Sequence, residues 1–169
     1  METIVNKVAE SGILTIDLAK YLAKEQDLAG FDLKPFLFRE MILREKDYRE
    51  ALKQQDWSAF EQKHVYIYCS VDAIIPMWAN MLAVTYLQPI AASVFFGTKE
   101  ELEHHLLLQQ IAQIDTAEYL DKRVVIKGCG DINIPAQGYV AVSALLQPYV
   151  KSLMYGEPCS TVPVYKKKN

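Results

Sequence analysis

The chain has 169 residues, of which 51% are hydrophobic and 23% charged, with 18 Lys plus Arg against 21 Asp plus Glu. That balance excludes wholesale disorder, and the net charge of −3 argues against a broad nucleic-acid surface, which shows as a basic excess. The start lacks a basic stretch followed by an apolar one, and the longest apolar run is too short to cross a bilayer, so a cytoplasmic protein without membrane contact is expected. Three cysteines, Cys69, Cys129 and Cys159, are an odd number in a reducing compartment, which argues against a disulfide framework.

In chain order, residues 13–18 and 31–33 read as short strands. Residues 41–55 read as a helix, with Ile42, Leu43, Ala51 and Leu52 punctuating a charged surface. A β-rich run follows at 64–68. A helix is expected over 76–86, with Pro76 in its first turn, where the missing N–H costs nothing. Residues 93–96 form the next predicted strand, closed by Gly97. Thr98 and Glu101 then have capping-box spacing at the start of a helix running to about residue 114. A strand at 123–126, a helix at 135–146 and a strand at 152–155 complete the pattern. Residues 161–169, with Lys166, Lys167 and Lys168, read as a basic tail.

Strands joined by helices of this length call for parallel pairing. The expected class is α/β: one three-layer domain over 1–169, with a mainly parallel sheet and helices on both faces. It divides into an N-terminal β and helix segment over 1–60, a repeated region over 61–160 and the tail. The repeat consists of two related βαβ units, about 64–97 and 123–156. Sliding 65–97 onto 124–156 gives ten identities in 33 positions, among them Asp72/Asp131, Pro76/Pro135, Leu87/Leu146 and Gly97/Gly156. The predicted sheet core comprises Val65, Ile67, Val94, Phe95, Val124, Ile126, Leu153 and Met154.

The functional crevice of an open parallel sheet lies beyond the carboxyl ends of its strands. Cys69, Cys129 and Cys159 each follow a predicted strand, so a single sheet would bring them to one edge. Three thiolates and a fourth ligand suit tetrahedral zinc, and Asp72, Asp131, His64, His104, His105 or water could fill the fourth position. The leading expectation is therefore a metal site of Cys69, Cys129 and Cys159 with Asp72 or Asp131. A metal-free redox or sulfur-transfer protein is one alternative. The other is a non-enzymatic binding or assembly module whose cysteines pack as small hydrophobes. No nucleotide-cofactor motif, phosphate loop or hydrolase elbow is present, and neither catalytic residues nor a small-molecule substrate can be named. The helix carrying Trp78 and Met81 is apolar nearly all round, which predicts a homodimer through that surface.

The stretches 69–76, 125–129 and above all 154–163 (Met-Tyr-Gly-Glu-Pro-Cys-Ser-Thr-Val-Pro) resemble a bacterial family catalogued as domain of unknown function 2480. The likeness covers nearly the whole chain. It implies that the three cysteines belong to the family's recognisable stretches, which fits a shared site, and it brings no activity with it.

Overall fold

Alternation along His64–Tyr68 puts Val65 and Ile67 in the core and leaves their neighbours half-buried, the mark of a strand. The same logic runs through a computed structural model of the chain, which describes residues 12–127, 130, 132–157 and 160–168. The described residues form an α/β fold of parallel and mixed sheets with several helices. They divide into two compact units, one continuous (Ala23–Glu103) and one assembled from the described residues up to Leu22 and those from His104 onward.

In the continuous unit, β2 (Leu28–Asp32), β5 (His64–Tyr68) and β6 (Ser93–Phe96) form a parallel sheet in the order β2-β5-β6. The helix α2 (Met77–Leu87) connects β5 to β6 and buries the stripe Ala79, Ala83 and Leu87, whose small residues allow close approach. The helix α1 (Glu45–Gln54) buries Tyr48 and Leu52, one turn apart. Tyr48 donates a hydrogen bond to the Ala79 carbonyl at 3.2 Å, and burial pushes its hydroxyl pKa up. Trp57 stacks on Phe31 and Tyr86 and closes the core from the side. A two-stranded antiparallel pair, β3 (Leu37–Phe38) and β4 (Ile42–Leu43), precedes α1.

In the discontinuous unit, β1 (Ile13–Ile16), β7 (Arg123–Ile126) and β8 (Ser152–Glu157) pair in parallel, and β9 (Ser160–Lys166) adds antiparallel to β8. The helix α4 (Ala136–Leu146) connects β7 to β8 and buries Gly138, Val142 and Leu146. The helix α3 (Lys99–Ala112) contributes Leu107 and Ile111 to this core. The boundary between the two units falls within α3. Gly138 lies so close to Leu107 that an added Cβ would stand 2.9 Å from its side chain.

Three expectations are corrected. The β5–β6 and β7–β8 pairs lie in different sheets, not in one. Each parallel pair recruits its own third strand from the N-terminal segment, β2 beside β5 and β1 beside β7, and periodicity carries no record of which distant strand will be the neighbour. Residues 41–43 belong to a turn and a strand, because Arg39 and Glu40 adopt left-handed φ values of 53° and 56° and reverse the chain there. Most of the basic tail is the strand β9, although it contains Pro163, which an edge position tolerates. Of the predicted core, Val65, Ile67, Val124, Ile126 and Leu153 are buried, while Val94, Phe95 and Met154 are half-buried. Among the described residues, no helix is long and apolar enough to cross a membrane.

Candidate functional site at the carboxyl end of the continuous sheet

The strands β2, β5 and β6 point their carboxyl ends the same way, and Asp32, Cys69, Ser70 and Asp72 lie at that end. Asp32 ends β2. Its Oδ1 accepts from the backbone N–H groups of Lys34 at 2.9 Å and Ser70 at 3.0 Å, and its Oδ2 accepts from the Ser70 hydroxyl at 2.6 Å. Burial alone would raise the Asp32 pKa, but the Ser70 hydroxyl, the two N–H donors and the Lys34 charge together hold it below its usual range. Tyr68 beside it is pushed up, first by burial and then by the Asp32 and Tyr66 charges. The carboxylate thus clamps the loop after β5, on which Cys69 and Asp72 sit.

Cys69 is half-buried and packs against the hydrophobic core of the unit. It also lines a cavity of about 360 Å³ with Asp72, Asn80, Met77 and Phe96 among its walls. The Asn80 Oδ1 is buried there without a hydrogen-bond partner. Asp72 and Ala73 also line a second cavity of about 560 Å³, walled by Met41, Ile42, Leu43, Ile74 and Pro76. A backbone bridge between Ile42 and Ile74 joins the two sides of that second cavity.

The structure therefore brings two of the five expected metal ligands, Cys69 and Asp72, to one cavity. Cys129, Asp131 and Cys159 lie outside the described residues. The premise that all three cysteines share one sheet edge does not hold, because the strands that precede Cys69 and Cys129 belong to different sheets. Among the described residues, no three of Cys, His, Asp and Glu are gathered as a metal would need. His64 opens β5 at the end away from Cys69, about 16 Å along a strand of this length, and its Nδ1 lies 2.7 Å from the Ser93 hydroxyl. His104 is half-buried and His105 exposed, both on α3.

The capping box is formed: the Thr98 N–H donates to Glu101 Oε2 at 2.7 Å, and the Glu101 N–H donates to the Thr98 hydroxyl at 3.2 Å. Trp78 is half-buried, packs against the core and lies beside the Tyr48 ring, 6.2 Å between centroids. Met77 and Met81 are the large apolar residues that α2 leaves open, 71% and 68% exposed. Sequence reasoning missed the Asp32–Ser70 clamp. Its one signal was the parallel between Ile16-Asp17-Leu18 and Phe31-Asp32-Leu33, where each Asp oxygen accepts from an N–H two residues on.

No curated protein and no solved structure matches the chain. A family model described as "Protein of unknown function (DUF2480)" matches residues 2–167, and the chain belongs to that family.

Proposed function

We propose that this protein is a non-enzymatic assembly module that works as a homodimer through the apolar face around the carboxyl end of the β2-β5-β6 sheet, with Cys69 as a packing residue. The observation that carries this is one continuous patch. Met41, Ile42, Ile74, Met77, Met81 and Phe96 are between 58% and 88% exposed; all but Met81 line one of two cavities that share Asp72 and Ala73, and Met81 follows Met77 by one turn of α2. Soluble monomers rarely leave so much apolar surface open. At about 200 Å² for each fully exposed residue of this size, the six leave roughly 800 Å² uncovered, which is what one partner of a standard interface buries. Among the described residues, Asp72 is the one charged side chain lining either cavity, so the face suits an equally apolar surface, and a second copy supplies one. Light scattering on the whole protein at micromolar concentration tests this. Twice the chain mass of 19.3 kDa, returning to 19.3 kDa in a folded Met77→Asp/Met81→Asp variant, is the expected result. A wild-type mass of 19.3 kDa, or a folded variant that stays double, overturns it.

A second reading is a thiolate metal site, most readily zinc, formed by Cys69, Cys129 and Cys159 with Asp72 or Asp131. It draws support from Cys69 and Asp72 lining the same cavity. Elemental analysis of protein purified without added metal decides it: one zinc per chain, lost in Cys69→Ser, supports the site, and no bound metal rejects it. If metal is absent, rapid labelling of Cys69 in the native state would favour thiol chemistry over packing.

We also propose that the two β–α–β stretches are copies of one module. Their registers match at the same 59-residue offset, His64↔Ser93 and Arg123↔Ser152. So do backbone hydrogen bonds such as Gln62 N–H to the Ile90 carbonyl and Asp121 N–H to the Tyr149 carbonyl, both 2.9 Å. The left-handed residues Gln62 and Asp121, and the positive-φ glycines Gly97 and Gly156, fall at the same offset.

A further inference from the structure

At Gly97 and Gly156 the two β–α–β stretches part ways. In the discontinuous unit the chain turns back as β9, which pairs antiparallel along the outer edge of β8. In the continuous unit it enters α3 instead, so β6 ends its sheet, and among the described residues no strand lies beyond it. The N–H groups of Ser93 and Gly97 donate to the carbonyls of Lys63 and Ile67, on the β5 side. Backbone direction alternates along a strand, so Val94 and Phe96 turn their N–H and C=O groups to the outer edge. At the 59-residue offset these two correspond to Leu153 and Tyr155, which β9 meets with Tyr165 and Val162.

Burial records the missing neighbour. Leu153 and Gly156 are buried beside β9, whereas their counterparts Val94 and Gly97 are half-buried, and Phe96 is 66% exposed. Terminal strands are ordinarily guarded against further pairing by charge, proline or a bulge. The strand β9 has all three, in Lys166, Pro163 and the register shift opposite Leu153 and Met154. Ser93, Val94, Phe95 and Phe96 provide none of them.

We propose that the outer edge of β6 docks β6 of a second copy, the two strands pairing antiparallel across a twofold axis and joining two three-stranded sheets into one. This deepens the homodimer reading, on which it rests, by naming the backbone contact that joins the copies. Two observations select a second copy over a foreign strand. Phe96 belongs both to this edge and to the exposed apolar face, so the edge continues the face. Twofold symmetry also makes the paired edges antiparallel, the polarity that the matching edge of β8 accepts from β9. With the axis at Phe95, Val94 of each copy stands opposite Phe96 of the other. Those are the residues whose backbone groups point outward, so each such pair exchanges both N–H···O bonds. The opposed Val94 and Phe96 side chains then share a face, and the pairing covers the Phe96 ring.

Amide hydrogen exchange on the whole protein, read residue by residue by NMR, tests this alongside light scattering on the same samples. In the doubled species the Val94 and Phe96 amides are expected to exchange at least about tenfold more slowly than in the folded Met77→Asp/Met81→Asp monomer. The Gly97 amide, bonded on the β5 side, should be alike in both. A dilution series of the wild type gives the same comparison without a variant, protection of the two amides rising and falling with the doubled mass. A doubled mass with Val94 and Phe96 exchanging as fast as in the monomer overturns the edge pairing and leaves the apolar face as the dimer contact. A mass of 19.3 kDa at every concentration overturns both readings. Protection of the two amides only in a complex with a different polypeptide overturns the proposal in favour of a foreign strand.

Discussion

Leu87 is fully buried at the end of the α2 stripe, in the cluster that contains Phe31, Tyr48, Val65 and Ile67. Truncating it to alanine removes the three carbons of its isopropyl end from that cluster. At about 0.8 kcal/mol for each buried methylene, the lost transfer free energy is about 2.4 kcal/mol. The unfilled space adds a cavity term, which brings the expected cost to about 3–4 kcal/mol. Both tryptophans of the chain, Trp57 and Trp78, pack against this same cluster, so their fluorescence reports its unfolding directly. With a urea dependence of about 1–3 kcal/mol per molar, the midpoint should fall by about 1–4 M. Leu146 holds the equivalent place in α4, is also fully buried, and packs with Val124, Val142 and Leu153. Leu146→Ala should therefore cost a similar amount, read by far-ultraviolet circular dichroism because that cluster contains no tryptophan. A loss below about 1 kcal/mol at either position would refute the burial assigned to that stripe. A more than twofold disparity between the two would count against the equivalence of the modules.

The Asp32 carboxylate has its pKa depressed in the folded state, so the stability it contributes is present above the ordinary carboxylate range and is lost as pH falls through the depressed value. Asp32→Asn should thus lower the urea midpoint at pH 7, and the gap to wild type should shrink by pH 3. A gap that is as wide or wider at pH 3 would contradict the clamp. Gly156 has a φ of 124°, and an added Cβ would stand 2.5 Å from the Ser160 backbone oxygen, so Gly156→Ala should cost about 1–3 kcal/mol and loosen the β8–β9 pairing. Faster hydrogen exchange in β9 checks this, and unchanged exchange with an unchanged melting temperature would refute it.

Much of the second half of the chain was legible because each signal there has a local cause. Pro76 and Pro135 fix the φ that a helix entry needs, Thr98 and Glu101 satisfy each other's backbone, and the alternation in His64–Tyr68 follows from the pleat. The sheet partition was not legible. A parallel strand must be apolar whichever strand lies beside it, so Val65 and Val124 look alike although their sheets differ. The strand β9 was hidden because six of its seven residues are charged, small or exposed, and only Tyr165 reaches the core as a clear apolar anchor. The Asp32–Ser70 clamp joins residues far apart in sequence, and neither residue type signals the other. Cys69 and Asp72 were named correctly as neighbours at a strand end, since one short loop carries both.

The order of strands along the chain also sets a schedule for synthesis. The strand β1 emerges first, yet its partner β7 begins only at Arg123. The strand β2 meets β5 after a much shorter interval, at His64. As the polypeptide leaves the ribosome, the continuous unit can close while Ile13–Ile16 still has neither ladder partner nor core. For that interval the nascent chain carries a short apolar segment with unsatisfied edges, the kind of segment that recruits chaperones or wrong neighbours. Closing the discontinuous unit then carries the entropy of the longest loop in the molecule, so its formation should be the slow step of folding.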